Sequence, residues 1–237
     1  MKKMMMITSL LFLASTASAK GVKENLSLVQ VPVEHAYLPA GFDSNDNVEV
    51  VVEGYLPNLC YKSPRTNIEY KGSEIHIELL ALKNETPGYA CAEMVVPFVQ
   101  VAGLGVLDKG DYQIFVNGKN MNKMHVQEST SSAIDDYIYA NVEYVETKSG
   151  VNHVSIKGHN PSDCFVFDRF EVFDNGRDVY SVLPIMEQVS DFCPMKMVPF
   201  SFEFEVPSNL KNNKVLLHVR AMNGDSVNAI FHKARRK

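Results

Sequence analysis

"VEVVVEGYLPNLCY", residues 48–61, decides the fold, because its second half returns as "GHNPSDCF" at 158–165. Gly54, Pro57 and Cys60 stand at the same spacing as Gly158, Pro161 and Cys164, and each glycine ends a strand-like run rich in β-branched residues. The likeness continues downstream. "CAEMVVPF" (91–98) meets "CPMKMVPF" (193–200) through a shared Cys-x4-Val-Pro-Phe, and "FVNG" (115–118) meets "RAMNG" (220–224). The chain therefore reads as two copies of one unit of about a hundred residues.

Each copy reads as strands. "SEIHIELLAL" (73–82) alternates Ile75, Ile77 and Leu79 with His76 and Glu78, and each Asn-Gly has the form of a type I′ hairpin turn. No stretch of about a dozen residues combines a helical period with caps. Pro97 and Pro199 sit inside strand-like runs; proline cannot donate to a ladder, so those strands belong at an edge or a bulge. The expected class is all-β, two tandem β-sandwich domains over 26–130 and 135–237. The polar "ESTSSAIDD" (128–136) reads as a short linker between them.

Four cysteines allow three pairings. The repeat makes Cys60–Cys91 and Cys164–Cys193 the economical choice, one staple per unit. Each staple contributes about 3–4 kcal/mol in the chain-entropy model. The recurring Gly-x-x-Pro-x-x-Cys is then a strand end, a rigid turn and a staple, and belongs to the scaffold.

The N-terminus has the form of a secretory signal over 1–19: Lys2 and Lys3, an apolar run from Met4 to Ala14, and a small-residue Ala17-Ser18-Ala19 site. Staples and signal agree on an oxidising compartment, periplasmic or secreted. The net charge of −5 gives no electrostatic footprint for nucleic acid. The basic Lys233–Lys237 end reads as a solvated tail.

"LDKGDY" (107–112), with Leu107, Gly110 and Tyr112, resembles the tyrosine corner of immunoglobulin-like and fibronectin-type sandwiches. The wider pattern is similar to that of secreted bacterial proteins carrying such modules, and the resemblance spans most of the chain. It implies immunoglobulin-like domains and an exported address, and no activity. The tryptophan of antibody domains is absent. In the second copy Val215 stands where Tyr112 would, so the first unit is expected to be the more rigid.

No catalytic constellation is legible. The cysteines are assigned to staples, and no Gly-x-Ser-x-Gly, His-Glu-x-x-His or phosphate-cradling loop occurs. No cofactor is expected. "DSNDNVE" (43–49) offers Asp43, Asn45, Asp46 and Asn47 as oxygen donors but lacks the glycine and glutamate of an EF-hand loop, so it reads as a turn. Met121, Met124 and His125 are soft copper ligands, yet strand geometry sends Met124 and His125 to opposite faces. His76 and His218 lie in alternating strands, facing solvent or resting as single core polar groups.

The expected function is a non-enzymatic binding or structural module of the cell envelope, holding a protein or glycan. An alternative is a secreted hydrolase inhibitor using a stapled loop. Its candidate contacts are Tyr55, Leu56, Asn58, Leu59, Tyr61, Lys62 and Arg65, with "KNETPGYAC" (83–91) beside them. A lesser alternative is a periplasmic copper or calcium protein. What matches between copies is Gly, Pro, Cys, Val, Phe and Asn-Gly; the polar positions diverge, so function is expected in features specific to one copy or in the groove between them.

Overall fold

The computed structural model describes residues 24–147, 152–209 and 212–232. The signal-like segment and the basic tail lie outside them. The described chain is built of strands. The first half contains β1 (Leu26–Gln30), β2 (Val33–Tyr37), β3 (Phe42–Asp43), β4 (Val48–Leu56), β5 (Tyr61–Lys71), β6 (Glu74–Asn84), β7 (Val96–Gly105), β8 (Gly110–Val116) and β9 (Lys119–Gln127). The second contains β10 (Val142–Thr147), β11 (His153–Asn160), β12 (Phe165–Asp174), β13 (Val179–Gln188), β14 (Val198–Glu205), β15 (Lys214–Ala221) and β16 (Asp225–His232).

Four sheets result. β2-β4-β7 faces a larger sheet of β5, β6, β1, β8, β9 and β3, and β10-β11-β14 faces β12-β13-β15-β16. Inward residues of each pair meet as a core. Val48, Val50 and Val52 pack with Ile75, Ile77, Leu79, Ile114 and Val126; Val154 and Ile156 pack with Tyr180, Val182, Val215 and Leu217. This is a β-sandwich architecture. The larger sheets also hold parallel pairs that the sequence patterns did not announce, β6 with β8 and β3 with β9 in the first half and β13 with β15 in the second. The other strand pairs are antiparallel, the arrangement that prevails in sandwiches of the immunoglobulin type.

The repeated motif is a single cross-strand device. Gly54 pairs with Phe98, and Gly158 with Phe200, so the glycine of Gly-x-x-Pro-x-x-Cys lies opposite the Phe of Val-Pro-Phe in both copies. A β carbon on Gly54 would stand 2.5 Å from the Pro32 carbonyl oxygen and 3.0 Å from the Phe98 ring. On Gly158 it would stand 2.0 Å from the Asn141 carbonyl oxygen and 2.9 Å from the Phe200 ring. On the other side of each glycine the neighbouring strand bulges, between Val33 and His35 or between Val142 and Tyr144. Only glycine admits ring and bulge together.

Pro97 and Pro199 lie on β7 and β14, which are edge strands, so their missing donors cost no ladder bond. Asn117-Gly118 and Asn223-Gly224 all have positive φ, as a type I′ turn needs. The disulfides are Cys60–Cys91 and Cys164–Cys193, with Cα atoms 5.4 and 5.6 Å apart. Pro57 and Pro161 sit in the turns leading into them.

The Tyr112 hydroxyl donates to the Asp108 carbonyl at 2.8 Å, beside buried Leu107 and after Gly110, whose φ is 154°. The second half has no tyrosine there, and Val215 is core. A different residue holds the corresponding loop: Tyr180 on β13 brings its hydroxyl to 2.8 Å from the Pro207 carbonyl oxygen and 2.7 Å from Asn209 Oδ1. The anchor has moved to the neighbouring strand.

Gly54→Ala and Gly158→Ala are expected to lower unfolding free energy by at least about 2 kcal/mol, measured in urea. Gly103→Ala, with nothing within 4 Å of the added carbon, should stay within about 0.5 kcal/mol of the parent. Tyr112→Phe and Tyr180→Phe should each cost about 1 kcal/mol, the loss of one net hydrogen bond. A Tyr180→Phe variant as stable as the parent would return the asymmetry between halves to the absence of the corner.

Candidate functional site

Two regions stand out. The first is the seam where the halves meet. On β4 the residues that do not face the core are Glu49, Val51 and Glu53, preceded by Asp46 in the turn; on β15 they are Lys214, Leu216, His218 and Arg220. These two sets meet in antiparallel order. Arg220 grips Asp46 with both guanidinium nitrogens, Nη1 to Oδ2 at 2.8 Å and Nη2 to Oδ1. His218 Nδ1 lies 3.1 Å from Glu49 Oε1, and Lys214 Nζ lies 2.6 Å from Glu53 Oε1. Between these rungs Val51 and Leu216 pack with Tyr37 and Val179. In these three rungs the acids come from the first half and the bases from the second.

Neighbouring strands extend the seam. His35 Nε2 is 2.8 Å from Asp178 Oδ2, Tyr37 donates to Glu53, and Asn175 donates to the Leu38 carbonyl. Ser226 and Asn228 donate to Glu49. The calcium-like turn is part of this structure. Asn45 donates to Asp136, Asn47 to the Gly224 carbonyl, and Asp46 holds Arg220. Asp46 and Asn47 are thus engaged in joining the halves, Asp43 accepts within its own turn, and among the described residues no group of three or more acids, histidines or cysteines could hold a metal ion. The connector is knitted in as well, since the Asp136 carboxylate accepts from Thr130 and Ser131, and Asp135 accepts from the Gly224 amide at 3.2 Å.

Burial and hydrogen-bonded partners push these carboxyls in opposite directions. For Glu49, burial favours the neutral acid, but His218, Asn228 and Ser226 outweigh it and hold the group below the usual carboxylate range. Burial likewise opposes ionisation of Asp178, and His35 and Asn175 pull it down. Asp43 goes the other way. Burial, and then repulsion from Asp46 and Asp136, push it up to about 6.

The second region is a pair of stapled loops. After β13, residues 189–197 leave the sheet and expose Val189, Phe192, Met195 and Met197; Phe192 is 83% and Met195 97% exposed. The Cys164–Cys193 bond and the Lys196 amide to the Pro161 carbonyl at 3.0 Å hold the base. The corresponding loop of the first half exposes Tyr89, Met94 and Val95 beside Cys91. β4 runs toward its own half's disulfide, and β15 toward that of the second half. Their antiparallel contact therefore places the two loops at opposite ends of the molecule.

The remaining predicted residues are dispersed. Tyr55 and Leu56 end β4, while Tyr61, Lys62 and Arg65 begin β5, so the span 55–65 is mostly sheet. Only the turn 57–60 projects, presenting Leu59, whose amide is tied to the Ala92 carbonyl, while Asn58 Oδ1 accepts from the Cys60 amide. Met124 is 2% exposed in the core, Met121 packs at its margin, and His125 points out to Asp111 at 2.7 Å. The three do not converge. His218, read as solvent-facing or a single core group, is buried in the seam.

The seam has a definite pH signature. Asp43 binds its proton in the folded state before the unfolded chain does, so stability should rise as pH falls from about 7 toward the carboxylate range near 4. Glu49 and Asp178 contribute stability that is lost as pH falls through that range and below it. Urea titrations should therefore peak near pH 5, and Asp43→Asn should shrink the rise to the part left by Asp135, whose carboxyl burial also pushes up, while keeping the acid-side fall. Arg220→Met leaves Asp46 buried and unpaired and should cost about 3–5 kcal/mol. The double variant Arg220→Met/Asp46→Leu should recover most of it.

The family model of the ORF11 beta-sandwich domain matches residues 50–126, from within β4 to within β9. No curated protein and no solved structure matches the chain.

Proposed function

We propose that the chain is an exported, non-enzymatic binding module of the cell envelope, periplasmic or secreted, made of two tandem immunoglobulin-like domains over 26–130 and 135–237. The observation that carries this reading is the 189–197 loop. Large apolar side chains stand almost fully in water on a backbone stapled at its base, and rigid apolar anchors are what protein interfaces place at their centres. Preorganisation by the disulfide reduces the ordering cost of binding. The partner of this loop is a protein, because Phe and Met fill apolar clefts, whereas the flanking Asp191 and the acidic chain do not suit an anionic bilayer.

Two observations support the address. Disulfides form in oxidising compartments, and among the described residues no helix is long and apolar enough to cross a membrane. The inhibitor reading finds support in the Leu59 turn, which is exposed beside Cys60–Cys91. The 189–197 loop offers more apolar surface.

The test is capture from an envelope extract by the full exported chain, compared with the variant Phe192→Ser/Met195→Ser. Loss of a specific protein band in this variant, with its melting temperature unchanged, is expected. Retention of every captured band by the variant, together with loss in Leu59→Ser, would move the interface to the first half and favour the inhibitor reading.

A further inference from the structure

A cavity of about 280 Å³ lies between the halves, where β9 faces the turn from β12 to β13. Asn122, Lys123, His125 and Gln127 line it from the first half, and Phe173 and Arg177 from the second. Its two cations form no ion pair among the described residues, although Arg177 helps from a distance to hold Asp178 ionised. Among the described residues neither Lys123 nor Arg177 has a carboxylate within ion-pair distance. Arg177 Nη1 reaches only the Met121 carbonyl, at 3.4 Å, and Arg177 Nε is buried with no acceptor at all. A buried guanidinium N–H without a partner is rare and costly.

The one carboxylate in the lining does not answer this need. Asp174 Oδ1 accepts from the Gly176 amide and Oδ2 from Asn209 Nδ2, both at 2.8 Å. His125 is held by Asp111 through Nδ1, which leaves Nε2 free. In a chain of net charge −5, two unpaired cations gathered in one recess run against the composition.

We infer that this cavity is a binding site for a small carboxylate-bearing ligand of acidic-monosaccharide size. The planar edge of Arg177, Nε with Nη2, matches a carboxylate in a bidentate hydrogen bond, and a shift of the side chain toward the cavity opens Nε to it. Lys123 adds a second charge. The amides of Asn122 and Gln127 are unengaged among the described residues and supply donors and acceptors for hydroxyls, and the Phe173 ring provides an apolar wall. A monoanion suits two cations beside Asp174 better than a dianion does. Both halves contribute, so the site exists only while the seam is closed. It is separate from the 189–197 loop, and neither site requires the other.

Calorimetric titration of the full exported chain with glucuronate, acetate, glucose and inorganic phosphate tests the assignment. Glucuronate is expected to bind in the millimolar range or tighter, acetate more weakly, and glucose not measurably. Arg177→Gln and Lys123→Gln should each weaken glucuronate at least tenfold, with melting temperatures close to the parent. Lys123 is on an exposed strand position, so its variant keeps the test valid should Arg177→Gln perturb the turn. Equal binding of glucose, tighter binding of phosphate, no binding of glucuronate, or full affinity in both variants would each overturn the proposal.

Discussion

Strand β15 is buried on both faces, and the arrangement of the molecule follows from that constraint. One face, with Val215, Leu217, Val219 and Ala221, belongs to the core of its own sandwich. The other carries Lys214, Leu216, His218 and Arg220, and three of these four are polar. Charged or polar groups in a strand interior need partners of their own, because desolvation without compensation costs several kcal/mol per ion. The acids of β4 and its preceding turn meet that need. Position, register and relative direction of the halves are then set together, since a shift by two residues would leave Arg220 and Asp46 each buried without the other. On this face His218 Nε2 lacks a hydrogen-bond partner among the described residues, with the Phe42 ring edge nearby.

Within each half the governing contact is steric. Gly54 and Gly158 let a phenylalanine ring and a bulged strand approach the same backbone from two sides, and the prolines beside those rings are tolerated because β7 and β14 are sheet edges. The two edges differ. Val99 and Val101 are exposed on β7, whereas the exposed positions of β14 include Glu203 and Glu205, charges of the kind that guard a free edge against further pairing. The scaffold is shared, and the surfaces laid over it are not.

That division explains what could be read from the amino-acid pattern. Strand class, both disulfides, the edge prolines and the hairpin turns were legible because each is enforced by local geometry that recurs in both copies. The seam was not. "VEVVVEG" and "KVLLHVRA" do not alternate cleanly, since burial on both faces erases the polar half of the period, and Glu49, Glu53 and His218 then resemble stray charges. A signal was present nonetheless: Lys214, His218 and Arg220 occupy one parity of β15, and Glu49 and Glu53 one parity of β4. The exposed 189–197 loop was masked for a different reason, because Phe192 and Met195 look like core residues until the sheet is known to end at Gln188. Tyr180 was invisible as an anchor because its partner loop is distant in sequence.

The divergence of polar positions between copies, which argues against a duplicated site, has a physical purpose at the seam. Two similar sandwiches on one chain could pair like with like, and the pattern of charge opposes it. The positions of β11 that correspond to Glu49, Val51 and Glu53 are His153, Ser155 and Lys157, and they face glutamates of their own sheet: Lys157 meets Glu146, and Ser155 donates to Glu203. The exposed face of β8, the counterpart of β15, carries Asp111, Gln113 and Phe115 in place of a row of bases. The β4 face is therefore acidic and the β15 face basic, and each exists once. A β4 face brought against another β4 face would bury Glu49 and Glu53 against like charges, which costs several kcal/mol. Heterotypic closure within one chain satisfies every rung, so the same charges that make the seam expensive to open make the alternative pairings worse.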